Sequence, residues 1–133
     1  MASTMTYLSN EWRDEAEKRI RADLSPERMN KITSSMSNIY KNCPDGKERY
    51  LFFNFKDGEL VDLLVGEGEA PKAEYRITGD YDIFAQISRA ELSSQKALMT
   101  GKLKLKGNMV KALKLASVAD RLNRVISTIP AEY

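Results

Sequence analysis

A change of hydrophobic period in the middle of the chain constrains this sequence more than any other feature. Two β-prone runs, Tyr50-Leu51-Phe52-Phe53-Asn54-Phe55 and Leu60-Val61-Asp62-Leu63-Leu64-Val65, are separated by a short polar link containing Asp57-Gly58. A type I′ two-residue hairpin turn needs positive φ at both central positions, which Asp-Gly tolerates, so the pair predicts a β-hairpin. Alternation places Leu51, Phe53 and Phe55 on one face of the first strand.

Helical spacing lies on either side of this hairpin. Leu8, Trp12, Ala16 and Ile20 recur every four residues and predict an amphipathic helix over 6–23, with Ser9 or Asn10 able to cap a later start. Ser25-Pro26 opens a short second turn. Residues 34–42 and 75–78 read as strands, with an acidic loop from Gly66 to Glu74 before the latter. From Gly79 the helical period returns. Asp80 can cap a helix carrying Ile83, Phe84 and Ile87, and Ser93 or Ser94 one carrying Ala97, Leu98 and Met99 that ends at Gly101. Lys102-Leu103-Lys104-Leu105-Lys106 alternates strictly and predicts a half-buried strand. Gly107-Asn108 then opens a last helix carrying Met109, Leu113, Ala116, Val118, Leu122, Val125 and Ile126. This order predicts an α+β fold in one domain of 133 residues, a largely antiparallel sheet with helices on one side.

Composition narrows the chemistry. The chain has no histidine, which removes Ser-His-Asp and Cys-His catalysis and nearly all zinc sites. Its single cysteine, Cys43, lacks an activating partner and reads as an ordinary thiol. No carboxylate pair stands out, no nucleotide motif is present, and no metal or cofactor is expected. We therefore expect a protein that is not an enzyme. No apolar run is long enough to span a bilayer, no signal-peptide core opens the chain, and Ala131-Glu132-Tyr133 is no peroxisomal address, so a cytoplasmic setting is expected. Charge is uneven: residues 1–95 hold 13 basic against 17 acidic side chains, residues 96–133 hold 8 against 2. Lys102, Lys104, Lys106, Lys111 and Lys114 form a candidate strip facing an anion or an anionic membrane. Nucleic acid is disfavoured, because residues 96–129 contain no aromatic for base stacking.

Leu98-Met99-Thr100-Gly101-Lys102-Leu103-Lys104-Leu105-Lys106-Gly107-Asn108-Met109, followed by Ala112, Leu113 and Leu115, resembles the signature of the sterol carrier protein type 2 domain family. Ser94-Gln95-Lys96-Ala97 resembles that family's preceding helix, and Tyr75-Arg76-Ile77-Thr78-Gly79-Asp80 with Phe84 fits an earlier strand-to-helix step. The likeness covers about residues 30–117 and is specific over 94–113. It implies a five-stranded, mostly antiparallel sheet with helices over one face and an apolar tunnel between, holding a fatty acid, fatty acyl-CoA or sterol. On this resemblance Gln95, Leu98 and Met99 match a tunnel-side helix, Leu103 and Leu105 the last strand's inward face, and Met109 and Leu113 the helix after it. Phe84 and Ile87 would close one side; Phe53, Phe55 and Leu63 follow from strand alternation. Residues 118–133 would cap the tunnel or pack against a second copy in a homodimer. The competing expectation is a protein-interaction or substrate-presenting module whose cavity is filled by its own C-terminal helix or by a partner.

Overall fold

The computed structural model describes residues 5–132. In chain order its elements are β1 (Met5–Thr6), α1 (Asn10–Asp23), β2 (Ser34–Lys41), β3 (Arg49–Lys56), β4 (Glu59–Glu67), β5 (Tyr75–Asp80), α2 (Tyr81–Ser88), α3 (Ser94–Met99), β6 (Lys104–Lys106), α4 (Met109–Ile126) and β7 (Ala131–Glu132). Five strands form the main sheet in the order β4-β3-β2-β5-β6. Every adjacent pair is antiparallel except β2–β5, which is parallel. This is the expected α+β arrangement, with the hairpin at one edge and the lysine-rich strand at the other.

Local chemistry explains the boundaries. Asp57 and Gly58 take φ of 51° and 82°, as a tight hairpin turn requires. Gly58 is doubly constrained, since a Cβ there would lie 2.6 Å from the Pro26 carbonyl oxygen. Helix α1 starts later than 6, because the Ser9 hydroxyl accepts from the Trp12 backbone N–H at 3.2 Å. Its buried face is Trp12, Ala16 and Ile20. The carboxylate of Asp80 does not cap α2 but accepts from the Asn42 side-chain amide at 2.7 Å. Ser93 caps α3, and Asn108 caps α4 by accepting from the Lys111 N–H at 3.1 Å.

The helices cover one face of the sheet. On the other, the loop after β4 folds back so that Ala70 is buried and the Ser37 hydroxyl donates to the Pro71 carbonyl at 2.6 Å. Residues 118–132 complete the core: Val118, Leu122, Val125, Ile126 and Ile129 are buried, and β7 pairs in parallel with β1.

Candidate functional site

Between the sheet's inner face and the helices lies a cavity of about 50 Å³. Its floor comes from alternate strand positions: Met36, Asn38 and Tyr40 of β2, Leu51 and Phe53 of β3, Tyr75 and Ile77 of β5. Phe84, Ile87 and Ser88 of α2 and Ser94 and Leu98 of α3 form one side, with Leu103 beyond them. The roof is the inward stripe of α4, where Ala112, Ala116 and Ala119 are small enough to leave space and Leu115 and Leu122 are not. A second cavity, about 20 Å³, continues toward Met29 and Ile32. The two share Met36, Phe53, Leu115, Ala119 and Leu122, which therefore form a neck. Among the described residues, no Lys, Arg, Asp or Glu lines either cavity.

One part of the first cavity is polar. The Tyr7 hydroxyl bonds Tyr40 Oη at 2.6 Å and Ser88 Oγ at 2.5 Å, and Tyr40 and Ser88 both line the cavity. The Tyr40 ring stacks on Phe84 at 4.3 Å between centroids. Burial, with the Tyr7 hydroxyl beside it, pushes the Tyr40 phenol well above the usual tyrosine range. The Asn123 amide donates to Ser94 Oγ at 3.2 Å, and Asp120 accepts from the Ser94 backbone N–H at 2.9 Å.

Phe53, Phe84, Ile87, Leu98 and Leu103 line the first cavity, and Phe53 and Phe55 the second. Other residues expected at a tunnel lie elsewhere. Leu63 is fully buried in the core and lines neither cavity, and its carbonyl accepts from Arg13 Nε of α1 at 2.7 Å. Gln95 and Met99 occupy the outward side of α3, four residues apart, while Ala97 and Leu98 face in; Met99 is 69% exposed. Met109, the first residue of α4, is 44% exposed because it precedes the helix's buried stripe. Leu113 is half-buried against the core, and Leu105, opposite Ile77 across the β5–β6 ladder, faces inward as expected and is half-buried against the core without lining either cavity. Sequence reasoning missed Met36, Asn38, Tyr40, Tyr75 and Ile77. Their alternate spacing was the available signal, obscured in β2 by serines and an asparagine.

Cys43 is buried, and its thiol donates to the Tyr40 carbonyl at 3.5 Å. Burial pushes its pKa up and the Asp45 charge adds to this, so it is a poor nucleophile.

The lysine strip divides into two surfaces. Lys102, Lys104 and Lys106 join Lys41 and Arg76 around an outer groove of about 760 Å³. Arg76 lies opposite Lys106 and Thr78 opposite Lys104 across the β5–β6 ladder. Among the described residues none of these five cations makes an ion pair. Lys111 and Lys114 instead line a separate groove with Ile32, Ser34, Tyr75, Leu115 and Val118. That groove, which Glu74 also lines, shares Tyr75 and Leu115 with the first cavity and Ile32, Ser34, Leu115 and Val118 with the second, so it adjoins both. Gly107, at φ 137°, makes the corner between the two surfaces; a Cβ there would stand 3.0 Å from the Tyr75 ring.

An uncharged cavity held between a mixed sheet and its helices is the layout of a lipid-carrier fold. Residues 14–120 match the SCP-2 sterol transfer family, and the chain belongs to that family. It is 37% identical over 80 residues to oleate-induced peroxisomal protein POX18 of Candida maltosa, an alignment covering 59% of this chain and 61% of that protein. The match thus spans less than two thirds of that relative's length. Non-specific lipid-transfer protein-like 1 of Caenorhabditis elegans is 28% identical over 116 residues, 87% of this chain and 93% of its own. The fold is shared with a crystal structure of sterol carrier protein 2 at a TM-score of 0.79 and 19% identity, covering 92% of this chain and 98% of that one.

Proposed function

We propose that this chain binds and carries a fatty acid, fatty acyl-CoA or sterol-like lipid between its sheet and α4, without catalysing a reaction. The observation that supports this best is the pair of adjoining cavities with no charged lining residue. Membership of a sterol transfer family and the name of the lipid-transfer relative support it as well. Each methylene removed from water contributes about 0.8 kcal/mol, so a sixteen-carbon chain has on the order of 10 kcal/mol of gross driving force before ordering costs. Met36 at the neck is unbranched and can rotate to join the two cavities. An anionic head group would sit in the adjoining groove, on the side of Lys111 and Lys114 away from Glu74.

The outer groove serves a different step in this reading. Its five cations, together with the exposed Met99, Met109 and Val110 on either side of β6, suit a transient contact with an anionic membrane. Each lysine there contributes about 1 kcal/mol near a charged surface, and less at high salt. The name of the Candida relative, an oleate-induced peroxisomal protein, supports a peroxisomal setting beside the cytoplasmic one expected from the sequence.

Native and denaturing mass spectra of the purified chain, followed by titration with acyl-CoAs, fatty acids and sterols, test the proposal. A lipid retained natively and lost on denaturation, or saturable binding in the titration, is the expected result. Failure to bind any of the panel would overturn carriage and leave the interaction module as the reading to pursue.

A further inference from the structure

The polar part of the first cavity has a composition that carriage of a plain hydrocarbon does not require. Asn38 faces inward on β2 between Met36 and Tyr40, about 7 Å from Tyr40 along the strand. Its side chain is half-buried, and among the described residues its amide has no hydrogen-bond partner. An amide offers two donors and an acceptor, so this side chain has capacity for a ligand that reaches the cavity. Tyr40 and Ser88 are anchored through Tyr7, yet a hydroxyl oxygen accepts two hydrogen bonds, so both retain capacity toward the cavity. Stacking on Phe84 holds the Tyr40 ring in place, so these groups are positioned before a ligand arrives.

Charge decides what they can receive. Among the described residues no cation lines the cavity, and the side chain held against the backbone N–H of its lining residue Ser94 is a carboxylate, Asp120. An ionised carboxylate brought to this end would lose its hydration without gaining a counter-charge. A neutral hydroxyl carries no such penalty, and it can both donate and accept.

We infer that Asn38, Tyr40 and Ser88 form a head-group subsite for a neutral, hydroxyl-bearing lipid. Its O–H donates to Tyr40 or Ser88, and its oxygen accepts from the Asn38 amide. This rests on the reading that the cavity holds a lipid. It divides the site by chemistry: neutral hydroxyls beside Tyr40 and Ser88, anionic heads in the adjoining lysine-flanked groove.

The test compares dodecanol with dodecyl chloride, which keeps the chain and lacks the hydroxyl, on the full chain and on Asn38→Leu. In the unsubstituted protein, dodecanol should shift the Asn38 side-chain amide NMR signals and dodecyl chloride should leave them in place. In the variant, the ratio of alcohol to chloride affinity by calorimetry should fall about three- to tenfold, the range for one net hydrogen bond. Dodecanol binding without movement of the Asn38 signals, or an unchanged ratio, would overturn the subsite while carriage stands. If neither compound binds, carriage itself fails and the subsite falls with it. The NMR comparison uses no variant, so it decides the matter even if Asn38→Leu folds poorly.

Discussion

Replacing Ala119 by Leu separates a ligand cavity from a solid core. Ala119 lines both cavities at the neck they share. The change adds three carbons, worth up to about 2.4 kcal/mol if all are buried in free space. The first cavity alone, about 50 Å³, corresponds to roughly 1.2 kcal/mol of unrealised packing at about 24 cal/mol per Å³. Overpacking subtracts about 1–3 kcal/mol. These terms nearly cancel, so we expect Ala119→Leu to unfold within about 1 kcal/mol of the parent in urea. Affinity for a fluorescent fatty acid, read by titration, should instead fall at least tenfold, because the new side chain blocks the neck. Unchanged affinity would refute the placement of ligand between α4 and the sheet. A stability loss above about 3 kcal/mol would show that the neck has no space to fill.

Gly58→Ala should lose at least about 2 kcal/mol in chemical denaturation, since it combines an unfavourable positive φ with a backbone clash at Pro26. Tyr40 sets an alkaline limit. Its folded pKa lies above the ordinary value of 10.0, so the native state holds that proton more tightly than the unfolded chain. Stability from this source is fully present below about pH 10 and declines as pH rises beyond it. Tyr40→Phe should flatten the decline, as urea midpoints at several alkaline pH values would reveal. Reversing Lys102, Lys104 and Lys106 to Glu should abolish sedimentation with anionic vesicles and spare fatty-acid binding; undiminished sedimentation would remove the outer groove from the membrane contact.

Local signals carried much of the fold. Asp57-Gly58 marked the hairpin, the Trp12–Ala16–Ile20 spacing marked α1, and Asn108 marked the start of α4, because each depends on nearby residues. The parallel β2–β5 pairing and the β1–β7 pair join residues far apart in sequence and leave no local trace. The same distinction runs through the site. Alternation told which strand residues face inward but not which helix each one meets: Phe53 and Leu63 are cross-strand partners, yet only Phe53 reaches the cavity. For α3 the resemblance indicated a helix without its rotation, so Gln95 and Met99 were expected inside and lie outside. The resemblance leaves residues 118–133 as a cap on the tunnel or an interface with a second copy. The described part supplies Leu122 and Ala119 to the cavity roof, so truncation would remove core rather than unblock a tunnel.

The short β1–β7 pair has a kinetic consequence. Closing the loop between Met5 and Ala131, roughly 125 residues, carries a length-dependent entropy of about 4 kcal/mol. Two bridging hydrogen bonds, Met5 N–H to the Pro130 carbonyl and Tyr7 N–H to the Glu132 carbonyl, cannot nucleate so long a closure. They form after the main sheet is assembled and open before it does, so their amides should exchange with solvent sooner than those of β2 and β3. Tyr7 adjoins this clasp, and its hydroxyl tethers Tyr40 to Ser88. Fraying of this clasp would therefore reach the interior wall through Tyr7.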